Sequence, residues 1–290
     1  MTRSKALLIL HLIVFIWGFT GILGKEISLE SDQLVWWRTL IAAMAMGLFA
    51  LFTGRSLRVE RKELLAYIGV GLLTAAHWIC FFGSIKVSNV STALAIISTT
   101  SFFVAIVGPF IRKTSFSILE VVLGIIVIIG LTIIFKFEPD MTLGIVLSLA
   151  AAFFAAVFSS FNSLLVKKYP PTRIAFYEMS AGMVGVTLYM LFNGTLDASL
   201  FDVGLRDFSL LIVLGTLATA FAFIMGIEVM KVLSPFTCAL TINLEPLYTI
   251  AIALFLYKED EFMSPAFYVG SILILSTLFI DVYARKKPTQ

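Results

Sequence analysis

Charge is scarce in this sequence. Asp, Glu, Lys and Arg together make up 13% of its 290 residues, while 60% are hydrophobic and the mean hydropathy is +1.02. No soluble globular domain needs such a composition, whereas a chain that crosses a bilayer many times does. No basic patch interleaves with aromatic residues, which excludes nucleic acid as a partner. The two cysteines, Cys80 and Cys238, both fall inside apolar runs. That placement suits small packing residues better than a disulfide. No Cys/His spacing for a metal exists, so neither a metal nor a cofactor is expected. Also missing are a Gly-x-x-x-x-Gly-Lys loop for direct ATP drive, a Gly-x-Ser-x-Gly elbow, a His-Glu-x-x-His pair and paired membrane aspartates. An intramembrane enzyme, the alternative to a carrier or a non-transporting accessory protein, would want one of the last three.

What is present is a series of apolar runs near the ~20 residues that span a bilayer. They fall at 6–24, 34–53, 64–85, 90–111, 118–136, 143–166, 174–192, 209–230, 235–256 and 265–284. The start, Met1 to Lys5, imitates a signal peptide, but it lacks a small-x-small cleavage site and its apolar run continues to Gly24; it reads as a first span. The fold class is therefore an all-α polytopic membrane protein with ten transmembrane helices. Ten is even, so both termini share a side. With that side inside, 15 of the 21 Lys and Arg lie in inner segments, including Arg3, Arg55, Arg58, Lys113, Lys167 and Lys168, and only 6 lie outside. Positive charge marks the cytoplasmic side.

The chain resembles itself. Val87 to Leu94 lines up with Leu233 to Leu240 at a shift of 146, which also carries Gly124 onto Gly270. A slightly smaller shift lays Trp37-Arg38 over Tyr177-Glu178 and Lys25 over Lys167. Each half, residues 1–140 and 141–290, would hold five spans, and an odd number turns the second copy upside down. Two inverted five-helix repeats place a substrate site near the midplane between halves that open it alternately to each side.

The ninth run is chemically the oddest. It spans the bilayer, yet its centre holds Asn243, Glu245 and Pro246. An ionisable carboxyl at that depth faces a water-filled cavity or a partner, and Pro246 frees a carbonyl one turn earlier. Glu245 either exchanges a proton in each cycle, or stays ionised against a cation from substrate or protein; a purely structural ion pair is the competing reading. Thr241, Glu245 and Tyr248 share a helical face by spacing. A role in substrate binding and one in interhelical hydrogen bonding are equally open for Asn243 and Tyr248.

His77, near the middle of the third run, could switch charge or meet a substrate carboxylate, with Phe81 one turn on as a stacking wall. Arg38 and its counterpart Glu178 sit about one turn inside opposite surfaces. They suit two gates, or in the arginine's case an anchor for a carboxylate; snorkelling to headgroups is the other reading of Arg38. Trp36 and Trp37 read as an aromatic belt, and Glu228 as a partner of Lys231. Trp17 is expected to border a cavity beside the small-residue face Gly18, Gly21 and Gly24. Asn162, with Ser159 and Ser163, gives the sixth run a polar patch of matching depth. The substrate-binding set is thus Trp17, Arg38, His77, Asn162, Asn243, Glu245 and Tyr248. Glu245, His77, Pro246 and Glu178 are the candidates for coupling or gating.

Trp17-Gly18, Lys25, Arg38, Pro109 closing the fourth run, Leu244-Glu245-Pro246, and Glu259 followed by Gly270 occur in this order within the twice-repeated frame. In this the chain resembles the EamA-type family of the drug/metabolite transporter superfamily over nearly its whole length. The resemblance implies a monomeric or homodimeric carrier of small organic solutes, often an exporter of amino acids or related metabolites, with protons as a candidate coupling ion. It also favours a bacterial cytoplasmic (inner) membrane. One departure is that Ser98-Thr99-Thr100 stands in the first half where the second has Leu244-Glu245-Pro246, so a proline hinge is expected in the ninth span only.

Overall fold

Local chemistry sets where the helices begin and end. Thr2 caps α1 (Arg3–Gly18) by accepting from the Lys5 amide at 3.3 Å, and α2 (Thr20–Glu26) continues the first span beyond a bend at Phe19. The second and third spans are α3 (Ser31–Phe52) and α4 (Arg61–Val87). Asn89 caps α5 (Val90–Ile97) through Thr92, and α6 (Thr100–Arg112) completes the fourth span. Pro109 lies inside α6 rather than at its end; the helix stops at Lys113, which adopts a left-handed conformation with φ 55°. The fifth and sixth spans are α7 (Ile118–Phe137) and α8 (Thr142–Leu165). Pro171 opens α9 (Pro171–Asn193) at a position that needs no amide donor, and Gly194 closes it at φ 70°. The eighth span joins α10 (Leu205–Gly215), a π-turn at Thr216–Phe221 and α11 (Ala222–Val229). The ninth begins as α12 (Pro235–Ile242), and the tenth is α13 (Pro265–Lys286).

This computed structural model describes all residues except 138, 243, 246, 247, 250, 251, 253, 254, 257–263 and 287–290. Asn243, Pro246 and Glu259, singled out above, lie outside the described residues. Among those described, 7 helices are long and apolar enough to cross a membrane. Their outer surface is apolar too: Phe52, Phe192 and Leu205 are all more than 80% exposed, as suits a boundary with acyl chains.

The inversion is visible where corresponding helices meet. α3 and α9 hold the same place in the two halves, yet they pack antiparallel. Trp36 at the start of α3 donates to Thr187 late in α9 (2.9 Å), while Gly47 late in α3 lies against Phe176 early in α9. The tenth span meets the fifth in the same self-paired way. A Cβ on Gly130 would come within 2.9 Å of the Gly270 carbonyl, and one on Gly270 within 2.7 Å of the Gly130 carbonyl. Gly124, matched to Gly270 by sequence, instead packs under Phe102.

Loops gather at two ends. At one, Arg55 donates to Thr172 (3.0 Å), Tyr177 to the Leu57 carbonyl (2.8 Å), and Arg173 pairs with Glu63 (3.4 Å). This is the basic face. At the other, the acidic face, Asp207 accepts from the Ser28 amide (3.0 Å), Thr195 donates to Asp32 (2.9 Å) and Arg206 pairs with Glu26. Here Trp36 and Trp37 do more than mark a membrane belt. Trp37 holds the Leu200 carbonyl (2.8 Å), and both rings pack edge-on against Phe201, so they fasten the Ala198–Phe201 turn over the bundle. Ser199 donates to Asp197 in that turn through side chain and backbone, which holds the exposed carboxylate below its usual range.

The fourth span departs from expectation. It breaks at Ser98 and Thr99 although no proline is near. Ser98 Oγ donates to the Ala95 carbonyl (2.6 Å), Thr100 Oγ1 to Ile97 (2.7 Å) and Ser101 Oγ to Ser98 (3.3 Å). A run of hydroxyls competing for backbone carbonyls loosens a helix. A discontinuity at the centre is therefore not confined to the ninth span, where α12 ends at Ile242 and Leu244 lies in a turn.

Candidate functional site

The discontinuous spans, the first, fourth, eighth and ninth, line a single cavity of about 130 Å³ together with α3, α4 and α8. Trp17, Arg38, His77, Asn162 and Glu245 all border it. Of the remaining residues in the expected binding set, Asn243 lies outside the described residues. Tyr248 does not border the cavity: it is 42% exposed and packs edge-on against Phe15. The turn at Leu244 interrupts the simple helical spacing that had put Thr241 and Glu245 on one face.

Arg38 sits seven residues into α3 and is only 3% exposed. It does not snorkel. Its guanidinium lies 3.9 Å over the Trp78 ring centroid, and its Nε donates to Thr219 Oγ1 at 2.7 Å. Thr219 in turn donates to the Leu214 carbonyl five residues back, a bond that the π-turn makes available. The Arg38 side chain is thereby held at its Nε and by its plane. Its two terminal nitrogens have no hydrogen-bond partner among the described residues, which leaves the fork that recognises a carboxylate unused. Glu245 stands across the cavity as the opposite charge, 9% exposed, and makes no hydrogen bond or ion pair through its carboxyl among the described residues.

Aromatic rings wall the space between these charges. His77 donates from Nδ1 to the Ala151 carbonyl at 2.8 Å, since a carbonyl can only accept, and this leaves Nε2 as an acceptor. Its ring stacks on Phe81 at 6.2 Å and meets Phe158 at 5.5 Å, while Phe223 closes the box against Trp78 and Phe158. Trp17 donates to the Ala218 carbonyl at 3.0 Å, bracing the π-turn from the other side. Gly21 and Gly24 are packing positions: a Cβ on either would press on Val90 or on the Phe82 ring.

Glu178 does not reach the cavity. It is fully buried behind Asn162, whose Nδ2 donates to its Oε2 at 3.1 Å. Ser159 borders the cavity, whereas Ser163 turns to the Ser160 carbonyl. Glu228 pairs with Lys231 at 2.9 Å. Sequence reasoning missed Thr219, Phe158 and Phe223. Nothing in their apolar runs distinguishes one threonine or phenylalanine from its neighbours; for Thr219 only the π-turn does.

Comparison with known proteins bears on the family and the fold. The model of the EamA-like transporter family matches the chain twice, over residues 4–136 and 142–282. The chain is 20% identical to the uncharacterized transporter YxxF of Bacillus subtilis (strain 168), covering 98% of this chain and 91% of that protein. It is 23% identical to an uncharacterized transporter of Archaeoglobus fulgidus, covering 96% and 97%. A solved crystal structure superposes with a TM-score of 0.72 at 16% identity over 99% of this chain and 100% of that one, which speaks for the fold alone. With both halves matched by the family model, the chain belongs to the EamA-like transporter family and is a multi-pass membrane transporter rather than an enzyme.

Proposed function

We propose that this transporter is a secondary carrier of small zwitterionic metabolites, amino acids or closely related amines, which it exports across a bacterial cytoplasmic membrane by alternating access. Both termini lie on the cytoplasmic side in this reading, since 15 of the 21 basic residues fall in segments on that face. The two halves, 1–140 and 141–290, are the units that rock, and the substrate is bound between them whether the protein works as monomer or homodimer. The observation that carries the reading is the pair of opposite charges, Arg38 and Glu245, facing one aromatic-walled cavity. A volume of about 130 Å³ suits a solute about the size of benzene. Arg38 takes the carboxylate, Glu245 the ammonium, and the Phe81, Phe158 and Phe223 rings the apolar remainder.

Protons couple to this cycle by competing with the substrate ammonium for Glu245. The test is flux into purified proteoliposomes for a panel of amino acids and small amines, with and without a pH gradient, in the parent and in Glu245→Gln. Saturable transport whose pH response is reduced in the variant is the expected result. Transport and pH response unchanged by Glu245→Gln would reduce that residue to a structural role and defeat the proposed coupling.

A second expectation concerns Thr219, which positions Arg38. Thr219→Val keeps the shape but removes the hydroxyl, and a hydrogen bond to a charged group contributes about 1.5 kcal/mol or more. KM for a carboxylate-bearing solute should rise about tenfold while the maximal rate stays near the parent's. Thr219→Ser should restore it.

A further inference from the structure

Behind the cavity lies a set of buried polar atoms that nothing among the described residues satisfies. Asn162 Oδ1, Glu178 Oε1 and Tyr67 Oη are each buried without a hydrogen-bond partner among the described residues. Asn162 Nδ2 bonds Glu178 Oε2 at 3.1 Å, and Tyr67 lies one turn before Gly71, which packs on the Glu178 backbone, and one turn after Glu63. Tyr67 also stacks on Tyr177 at 5.9 Å and meets Tyr169 edge-on at 5.9 Å. The string therefore runs from the cavity wall at Asn162 to the Glu63–Arg173 pair that helps close the basic face.

Glu178 differs from Glu245 in one decisive respect. Glu245 has a cation, Arg38, across an open space. Glu178 has no exposure and no counter-charge: among the described residues, Arg38 on α3, His77 on α4 and Glu228 on α11 make neither ion pair nor hydrogen bond with it. On α4 the titratable Tyr67 stacks on Tyr177, the residue before Glu178, Arg173 lies five residues earlier on its own helix, and α8 contributes the neutral Asn162. An ionised carboxylate with a single amide bond in such a place bears nearly the whole cost of desolvation. A proton on Oε1 removes that cost and supplies a donor between the carboxyl and the amide oxygen. Two orphaned acceptors, the carboxyl and the amide oxygen, then become one donor and one acceptor.

We propose that Glu178 is a second proton site of the transporter, held in the conformation seen here as a neutral carboxylic acid against the Asn162 amide, and that it releases its proton when the basic face opens and water reaches it. Asn162 links that event to the cavity, because the same amide borders the substrate space. The proposal rests on the alternating-access reading above, and adds one proton per cycle at a residue that never touches the solute.

Two measurements test it. In purified protein in lipid, infrared spectra at neutral pH should contain a protonated carboxyl band that Glu178→Gln abolishes and that Asn162→Ala, which leaves the carboxyl in place, shifts. This needs no substrate. In proteoliposomes, Glu178→Gln should keep exchange of labelled for unlabelled solute at equal pH while its pH-driven net flux falls at least tenfold. A spectrum unchanged in both variants, or a net flux in Glu178→Gln that follows the pH gradient as the parent's does, overturns the proposal. Absence of exchange in the parent for every solute tried would instead count against the substrate class, and the infrared result would still decide the protonation of Glu178.

Discussion

Arg38→Met is expected to raise the KM for a carboxylate-bearing solute about 100-fold or more. The expectation follows from what holds the arginine and what it leaves unused. Trp78 supports the guanidinium plane at 3.9 Å and Thr219 takes the Nε hydrogen at 2.7 Å, so only the terminal nitrogens remain for a ligand. Each charge-assisted hydrogen bond contributes about 1.5–3 kcal/mol, and two lost together amount to about 3 kcal/mol or more, which is over two decades in affinity. Lysine would keep the charge but not the fork or the stacking, so Arg38→Lys should recover only part of the loss. The decisive control is an amine of the same size without a carboxylate. It has nothing for Arg38 to bind, so its transport should survive Arg38→Met with Glu245 still in place. An unchanged KM for the acid would remove Arg38 from the binding site. Equal loss for acid and amine would mean that the substitution had damaged the bundle instead.

Much of the architecture was legible before any coordinates, and the reason is physical. A span must be apolar over about 20 residues whatever its tertiary neighbours, so the run at 34–53 corresponds to Ser31–Phe52 and the run at 143–166 to Thr142–Leu165. Loop charge follows from topology in the same way. The charged members of the site were legible for the opposite reason: Arg38, Glu178 and Glu245 are expensive inside a bilayer and so stand out. What escaped was whatever depends on direction. Arg38 and Glu178 occupy equivalent places in α3 and α9, seven residues from each helix start, yet one reaches the cavity and the other stops behind Asn162. Hydropathy has no term for that. The break at Ser98 and the π-turn at Thr219 escaped because they arise from side-chain hydroxyls choosing among nearby carbonyls. Tyr248 was misplaced because spacing along a helix does not say which way its face turns: it packs against Phe15 instead of bordering the cavity.

Gly71→Ala should produce the largest loss of stability among single methyl additions to α4. A Cβ at Gly71 would overlap the Glu178 carbonyl oxygen, come within 2.9 Å of the Glu178 Cα and lie 3.0 Å from the Ala181 Cβ. The first two are backbone atoms and the third is a Cβ fixed to backbone, so no rotamer change relieves the overlap. α4 and α9 must separate instead. Overpacking of this kind costs about 1–3 kcal/mol, which outweighs the ~1 kcal/mol that alanine gains over glycine in a helix. Two neighbours serve as internal controls. Gly69 has nothing within 4 Å of its would-be Cβ, so Gly69→Ala should leave the melting temperature unchanged or raise it slightly. Gly185 meets the end of the Leu72 side chain, which can rotate away, so Gly185→Ala should fall between the two. Thermal unfolding in one detergent gives the order directly. Transport by Gly71→Ala should also fall well below that of a variant matched for melting temperature, because the displaced helix carries His77 and Trp78 on the cavity side and α9 carries Glu178. If Gly71→Ala melts with Gly69→Ala, the close approach of these two helices is not what holds the scaffold under the site.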